Sequence, residues 1–259
     1  MNIIGVIPAR MASSRFPGKP LKKLCGIPMI GHVYYRACMS KLLDGVYVAT
    51  CDKEIVDYVE SIGGNAVMTS DSHERASDRV AEAVKKIERK SGKKTDIVVM
   101  IQGDEPLITP SMITASVVPM LKDRSIEITN LVSRLNSRLS QEDPNEVKVV
   151  VDNKGFALYF SREPIPSWKK GAKDVPMLKQ VCVIPFRRDF LLKFNSLKPT
   201  PLEKIESVDM LRVLEHGYKV KMVFIKDDTY SVDTQEDLRF AEKIMKADPF
   251  LKRYRIQSA

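Results

Sequence analysis

Residues 8–20 read PARMASSRFPGKP and place Arg10, Arg15 and Lys19 among two serines, one glycine and three prolines, directly after the apolar run Asn2–Ile7. Cations at this density suit an anion with several charged oxygens, and Gly18 allows a backbone to approach a ligand closely. In a parallel sheet, ligands bind beyond the carboxyl ends of the strands, and the loop after the first strand is a favoured phosphate position. The spelling excludes two familiar cradles. A Walker loop requires G-x-x-x-x-G-K-[ST], whereas Lys19 is followed by Pro20, and no G-x-G-x-x-G triad occurs. A polyanion-binding loop and a solvated basic turn both remain open.

Three further stretches carry chemistry. Gln102-Gly103-Asp104-Glu105-Pro106 follows the apolar run Asp96–Ile101. Asp104 is therefore either a ligand for Mg²⁺, which takes carboxylate and phosphate oxygens, or an Asp that bonds its own turn. In Ser231-Val232-Asp233-Thr234-Gln235-Glu236-Asp237, Thr234 reads as an N-cap with Asp237 three residues on. That accounts for Thr234 and Asp237 and leaves Asp233 at a strand end. Two carboxylates on neighbouring strand ends, facing a cationic loop, make a sensible metal–triphosphate site. In Ala157-Leu158-Tyr159-Phe160-Ser161-Arg162 an apolar strand ends in an arginine. Arg162 either forks onto a substrate carboxylate or closes a surface ion pair.

The elements that must position these residues follow from hydrophobic periodicity. Strands are expected at Asn2–Ile7, Gly45–Thr50, Asn65–Met68 and Asp96–Ile101, and helices at Pro28–Ser40, Lys53–Ile62, Ser77–Glu88 and Pro110–Leu121. Short apolar strands alternating with helices indicate βαβ units and a parallel sheet with helices on both faces. The second half predicts strands at Ile126–Leu135, Val147–Val151, Phe156–Phe160, Lys179–Ile184, Lys219–Ile225 and Tyr230–Val232. A turn is expected at 152–155 and an exposed loop at 163–177. Helices are expected at Leu202–His216, with Gly217 as its C-cap glycine, and at Thr234–Lys246.

Composition narrows the class. With 259 residues, 44% hydrophobic and 29% charged, the chain can bury a full core. No apolar run approaches the ~18–20 residues of a membrane span, and no secretory leader is expected. The four scattered cysteines, Cys25, Cys38, Cys51 and Cys182, read as reduced thiols of a cytoplasmic protein. A net charge of +9 suits nucleic acid or polyanionic small molecules, but the excess is spread and no basic stripe is interleaved with aromatics. A nucleic-acid partner is accordingly not expected, nor a membrane.

PARMASSRFPGKP, PMIGHV (28–33), VATCD (48–52), QGDEP (102–106), ALYFSR (157–162), PLEKIE (201–206) and SVDTQEDL (231–238) fall in the order seen in CMP-Kdo synthetases, the CTP:3-deoxy-manno-octulosonate cytidylyltransferases. The chain resembles that family from about residue 3 to about residue 245. The resemblance implies an α/β, Rossmann-like nucleotidyltransferase forming one cytidylyltransferase domain over residues 1–259. It implies a mixed, mostly parallel sheet and a small lobe, at about 155–205, for dimerisation and sugar-acid binding. It also implies transfer of CMP from CTP to the anomeric hydroxyl of a sugar acid with release of pyrophosphate, by a homodimer serving a surface polysaccharide such as lipopolysaccharide or capsule. By position, Arg10 and Lys19 hold the triphosphate with Arg15 helping, Asp104 and Asp233 hold Mg²⁺, and Ala9, Ser77, Arg79 and Gln102 line the nucleotide. Gln102, Arg162, Gln180, Glu206 and Asp209 fall to the acceptor.

Departures from the family pattern gather on the acceptor side. An Arg-His before Gly-Ile-Tyr is replaced by Lys179-Gln180-Val181-Cys182-Val183-Ile184, and a Glu-Gln pair after PLEKIE by Asp209-Met210. Near the nucleotide, Gln-Ser-Gly-Thr-Glu-Arg has become Glu74-Arg75-Ala76-Ser77-Asp78-Arg79. Two acceptors stay open, Kdo itself or a related acid, because a pocket built to bond one polar group discriminates strongly against analogues lacking it. A non-catalytic binder has little need of Arg10, Lys19, Asp104 and Asp233 together.

Overall fold

The first strand, Ile3–Ala9, is buried at every position, the pattern of a parallel strand covered on both sides. It pairs in parallel with Gly45–Thr50 on one side and Ile97–Ile101 on the other, and Ala66–Met68 extends the sheet beyond Gly45–Thr50. The helices between these strands, Met29–Cys38, Lys53–Ser61 and Ala76–Ser91, complete the expected βαβ units. Ile7, Val48, Val98 and Val99 are fully buried, and each such side chain contributes about 1.5–3 kcal/mol on leaving water. The computed structural model describes residues 1–12, 15–169, 171 and 175–255. They form two compact units, one of Met1–Thr114 with the segment that begins at Thr229, the other of Ala115–Asp228.

In the first unit a short hairpin, Lys23–Leu24 with Ile27–Pro28, turns through Cys25 and Gly26, both at positive φ. Helix Gln235–Met245 begins in the expected capping box. Thr234 Oγ1 accepts from the Asp237 amide at 3.2 Å, and Asp237 Oδ2 accepts from the Thr234 amide at 2.8 Å. A last helix, Pro249–Arg255, brings Tyr254 against His32 and Arg36 of helix Met29–Cys38. His32 is fully buried, with Nε2 2.8 Å from the Leu24 carbonyl and Nδ1 2.8 Å from the Tyr254 hydroxyl.

Burial is the chief cause that lowers the His32 pKa to about 4, so the ring is neutral in the fold. A neutral ring has one N–H, which must donate to Leu24, so Nδ1 accepts from Tyr254. The unfolded chain binds a proton here below about pH 6.5, whereas the fold resists it down to about pH 4. Stability is therefore full above pH 6.5 and is lost as pH falls towards 4, on the order of 3 kcal/mol from this one group. Urea midpoints of wild type and His32→Gln at pH 7 and pH 4.5 should show the smaller acid loss in the variant. Equal acid losses would remove His32 from the account.

The second unit is built on a different sheet, ordered Lys221–Phe224, Thr129–Arg134, Leu178–Val181, Lys148–Val151, Ala157–Ser161. Its first pair is parallel and the other three are antiparallel. Residues 170 and 172–174 of the expected loop lie outside the described residues, and the rest of 163–177 carries no helix or strand. Three expectations are corrected. The strand at Lys179–Ile184 is two strands, Leu178–Val181 and Val183–Arg187, parted at Cys182. The helix at Leu202–His216 is two, Pro201–Glu206 and Asp209–Glu215, because Ser207 takes the left-handed conformation at φ 53. Across that break Arg212 clasps Glu203 with Nε–Oε2 at 2.7 Å and Nη2–Oε1 at 2.5 Å, a buried bidentate pair. The third concerns the first unit, where Tyr230–Val232 forms no strand and the Val232 amide donates instead to the Asp104 carbonyl at 2.9 Å. Gly217, at φ 79, does follow the second helix, with the Gly217 and Tyr218 amides closing on Leu214 and Val213 as in a Schellman motif.

Candidate active site

The first unit holds a cavity of about 300 Å³ at the carboxyl ends of strands Ile3–Ala9 and Ile97–Ile101. Its walls come from the 8–20 loop (Ala9, Arg10, Arg15, Lys19), from His73–Ala76 and Arg79, from Gln102–Asp104, and from Asp233. Ser13 and Ser14 lie outside the described residues.

Local interactions fix the loop. Its Met11 amide donates to Asp52 Oδ2 at 2.7 Å, at the end of the neighbouring strand, and the Gly18 amide returns to the Met11 carbonyl at 3.1 Å. Gly18 sits at φ 71, and a would-be Cβ would meet Met11 Cε at 3.6 Å and Lys22 Cε at 3.9 Å, both ordinary contacts, so the backbone angle and not crowding requires glycine. At Gly103 the reason is the opposite, since a Cβ there would stand 3.0 Å from the Pro8 carbonyl oxygen. Phe16 and Pro20 are buried and anchor the far side of the loop.

Lys19 lies at the centre. Its ammonium donates to Asp104 Oδ2 at 2.8 Å and to Asp233 Oδ1 at 3.0 Å, and Arg15 Nη2 reaches the same Asp233 oxygen at 3.1 Å. The Lys19 side chain is 12% exposed. Burial works to lower its pKa, but the two carboxylates outweigh that and raise it, so the ammonium stays charged. The Asp233 amide donates to Asp237 Oδ2 at 3.0 Å, so the capping box of the following helix also aims this carboxylate. Among the described residues no cluster of three His, Cys, Asp or Glu groups occurs. Two carboxylates already closing on one cation fit Mg²⁺, which commonly takes one or two protein carboxylates and completes its shell with phosphate and water.

On the wall opposite, Arg79 Nη1 donates to Thr69 Oγ1 at 2.6 Å and to the Ser70 carbonyl at 3.1 Å, while Ser77 is fully buried and not among the lining residues. His73 was not singled out by sequence. It lines the cavity and bonds Glu82, which also accepts from the Ser70 amide at 3.0 Å and pairs with Lys86 at 2.7 Å. Burial pushes the Glu82 carboxyl up, yet Lys86, the Ser70 amide and His73 together bring it down to about 2. Asp52 ends the VATCD run, but its link to the loop was not legible because the Met11 amide lies 41 residues away, and nothing local marks His73 against Glu82, nine residues on.

Of the acceptor candidates, Gln102 lines the cavity of the first unit, and Arg162, Gln180, Glu206 and Asp209 belong to the second. Glu206 accepts from Tyr159 Oη at 3.3 Å, Ser161 Oγ at 3.0 Å and the Arg162 amide at 2.8 Å. The Arg162 guanidinium donates to the carbonyls of Glu206, Pro144 and Ser207 at 2.6, 2.7 and 3.4 Å. Beneath, the buried Lys148 ammonium bonds the carbonyls of Asp143 and Arg162. Gln180 Nε2 donates to Asn130 Oδ1 at 2.6 Å; Asp209 starts its helix, and Met210 is in the core at 1% exposure.

A family model described as cytidylyltransferase matches residues 4–247. A 3-deoxy-manno-octulosonate cytidylyltransferase of Geobacter metallireducens is 42% identical over 255 residues, covering 94% of this chain and 98% of that protein. One from Thermodesulfovibrio yellowstonii is 44% identical over 252 residues, covering 95% and 98%. The solved structure of CMP:2-keto-3-deoxy-manno-octonic acid synthetase complexed with CTP superposes with a TM-score of 0.87 at 35% identity, over 95% of this chain and 99% of that one. With its strand-end cavity, its paired carboxylates and this likeness along nearly the whole length, the chain belongs to the cytidylyltransferase family, among the 3-deoxy-manno-octulosonate cytidylyltransferases.

Proposed function

We propose that the protein transfers CMP from CTP to 3-deoxy-manno-octulosonate or a close sugar acid, releasing pyrophosphate. One observation carries the reading: two carboxylates and three cations meet in one strand-end cavity of a chain that matches a CTP-bound synthetase over 95% of its length. Displacement at phosphorus needs positioning and charge neutralisation more than a covalent nucleophile. Arg10, Lys19 and Arg15 hold the triphosphate and offset charge on the departing pyrophosphate. Ala9, Gln102 and Arg79 shape the nucleotide pocket, with Arg79 bracing the 69–70 backbone, while Ser77 is buried in the helix that carries Arg79. Asp104 and Asp233 hold Mg²⁺, which when bound supplies Lewis-acid polarisation of phosphate.

Acceptor binding falls to Gln102, Arg162, Gln180, Glu206 and Asp209. The buried position of Met210 and the Gln180–Asn130 bond give two of the acceptor-side departures internal roles, which favours 3-deoxy-manno-octulosonate itself. The whole chain acts as one cytidylyltransferase domain in the cytoplasm, as a homodimer joined through the lobe at about 155–205. Leu158 and Ile205 of that lobe are 61% and 76% exposed, apolar surface that a partner would cover. Pyrophosphate release should appear with CTP, Mg²⁺ and 3-deoxy-manno-octulosonate, from a species that sediments as a dimer. No release with any of a panel of sugar acids, despite CTP binding, would sink the enzymatic reading, and a monomer would sink the dimer.

A further inference from the structure

The Asp104–Lys19–Asp233 cluster is already neutralised from within. Two carboxylates face two cations, Lys19 and Arg15, with all three N–O distances between 2.8 and 3.1 Å. A magnesium ion binds oxygen ligands at about 2.0–2.1 Å. An ammonium that spans Asp104 Oδ2 and Asp233 Oδ1 therefore stands on the line of approach of any metal that would bridge those same oxygens. Ammonium and metal would repel each other strongly there, since the side chains are only 12–29% exposed and water screens them poorly.

We propose that Lys19 is a resident counter-cation that a divalent metal must displace, so that the protein binds metal weakly until a polyphosphate arrives to receive the lysine. This rests on the proposed assignment of Asp104 and Asp233 as metal ligands. Lys19 begins the short helical turn Lys19–Leu21 and reaches the acids on a flexible four-carbon stem, so its head can move while its backbone stays held. The cavity beside it is lined by Arg10 and Arg15 as well, so the position that would receive the ammonium is the one suited to phosphate oxygens. Metal and nucleoside triphosphate thereby help each other bind, and the coupling is reciprocal by linkage. A second consequence is selectivity in time, because the acids are not offered to stray divalent cations before nucleotide is present.

The test uses Mn²⁺ alone as the probe, with free metal read by electron paramagnetic resonance on the full chain and no nucleotide. Lys19→Met and Lys19→Gln should each bind Mn²⁺ about tenfold or more tightly than wild type, because no ammonium need be displaced from between the two acids, although Arg15 still pairs with Asp233. The Gln variant keeps a donor and serves if the Met variant does not fold. Lys22→Met removes an equal charge from a side chain that lies over the Phe16 ring, and should leave Mn²⁺ affinity within about twofold of wild type. An unchanged or weaker affinity in the Lys19 variants would overturn the inference, as would an equal gain from Lys22→Met. Adding Asp104→Asn to Lys19→Met separates the two claims. If tight Mn²⁺ binding survives that change, the metal assignment itself falls. If Asp104→Asn abolishes binding but Lys19→Met brings no gain, the acids hold metal and only the displacement is wrong.

Discussion

Asp104→Asn and Asp233→Asn should each lower kcat by ~10²–10³-fold while leaving the circular dichroism spectrum and melting point close to wild type. Asparagine keeps the size of the carboxylate and can still accept from Lys19, so the loop remains docked. What it loses is the negative charge that binds a hard cation. Lys19 also retains one carboxylate in either variant, since it bonds both acids, and this limits the cost to the fold. The loss should fall on kcat more than on the KM for CTP, because Arg10, Arg15 and Lys19, proposed to hold the triphosphate, are all retained. A wild-type rate in either variant would remove the metal role from that residue.

The acids show what a sequence can and cannot disclose about such a site. That Asp104 follows a buried strand was legible, and so was the cationic character of the 8–20 loop, whereas the strand expected before Asp233 is not formed. The meeting of acids and loop was not legible, because Lys19 lies 85 residues from Asp104 and 214 from Asp233, and only the fold brings them together. The same holds for Asp52, which tethers the loop from 41 residues away, and for His73, whose partner Glu82 lies on the following helix. Arg162 carried a different ambiguity. A strand-terminal arginine reads as a carboxylate fork or a surface ion pair, whereas three of its guanidinium N–H groups go to backbone carbonyls of its own unit.

Element reading succeeded where periodicity was strong and failed where a tertiary contact overrode it. Gly45–Thr50 was expected and is found at the same limits, because its β-branched and aromatic residues Val46, Tyr47, Val48 and Thr50 favour a largely buried strand. Residues 202–216 keep a helical pattern with no glycine or proline at 207, so nothing local announces the break. Ser207 adopts the left-handed conformation, costing roughly 1–2 kcal/mol, and the buried Glu203–Arg212 pair across the break provides compensation. The helix Pro249–Arg255 escaped notice because its short span gives too little periodicity; its existence rests on what Tyr254 finds in the core.

That contact supports the largest stability prediction. Arg36 is fully buried, yet every side of its guanidinium is engaged: Nη1 donates to the Ile108 carbonyl at 3.1 Å, Nε to Tyr254 Oη at 3.2 Å, and Nη2 to Asp248. The rings of Phe250 and Tyr254 each lie 5.7 Å from its Cζ, so cation–π attraction adds to the hydrogen bonds. Arg36→Met should destabilise the protein by about 3–5 kcal/mol, because it strands the Asp248 carboxylate and leaves the Ile108 carbonyl and Tyr254 hydroxyl each short of a donor. For a chain of this length the melting point should fall by on the order of 10 °C. Asp248→Asn in the Arg36→Met background should recover part of the loss, since the stranded group is then uncharged. The arginine is a net asset only while all its partners stand, so a double variant no more stable than Arg36→Met alone would place the cost in lost packing around the two rings instead of in the unpaired charge.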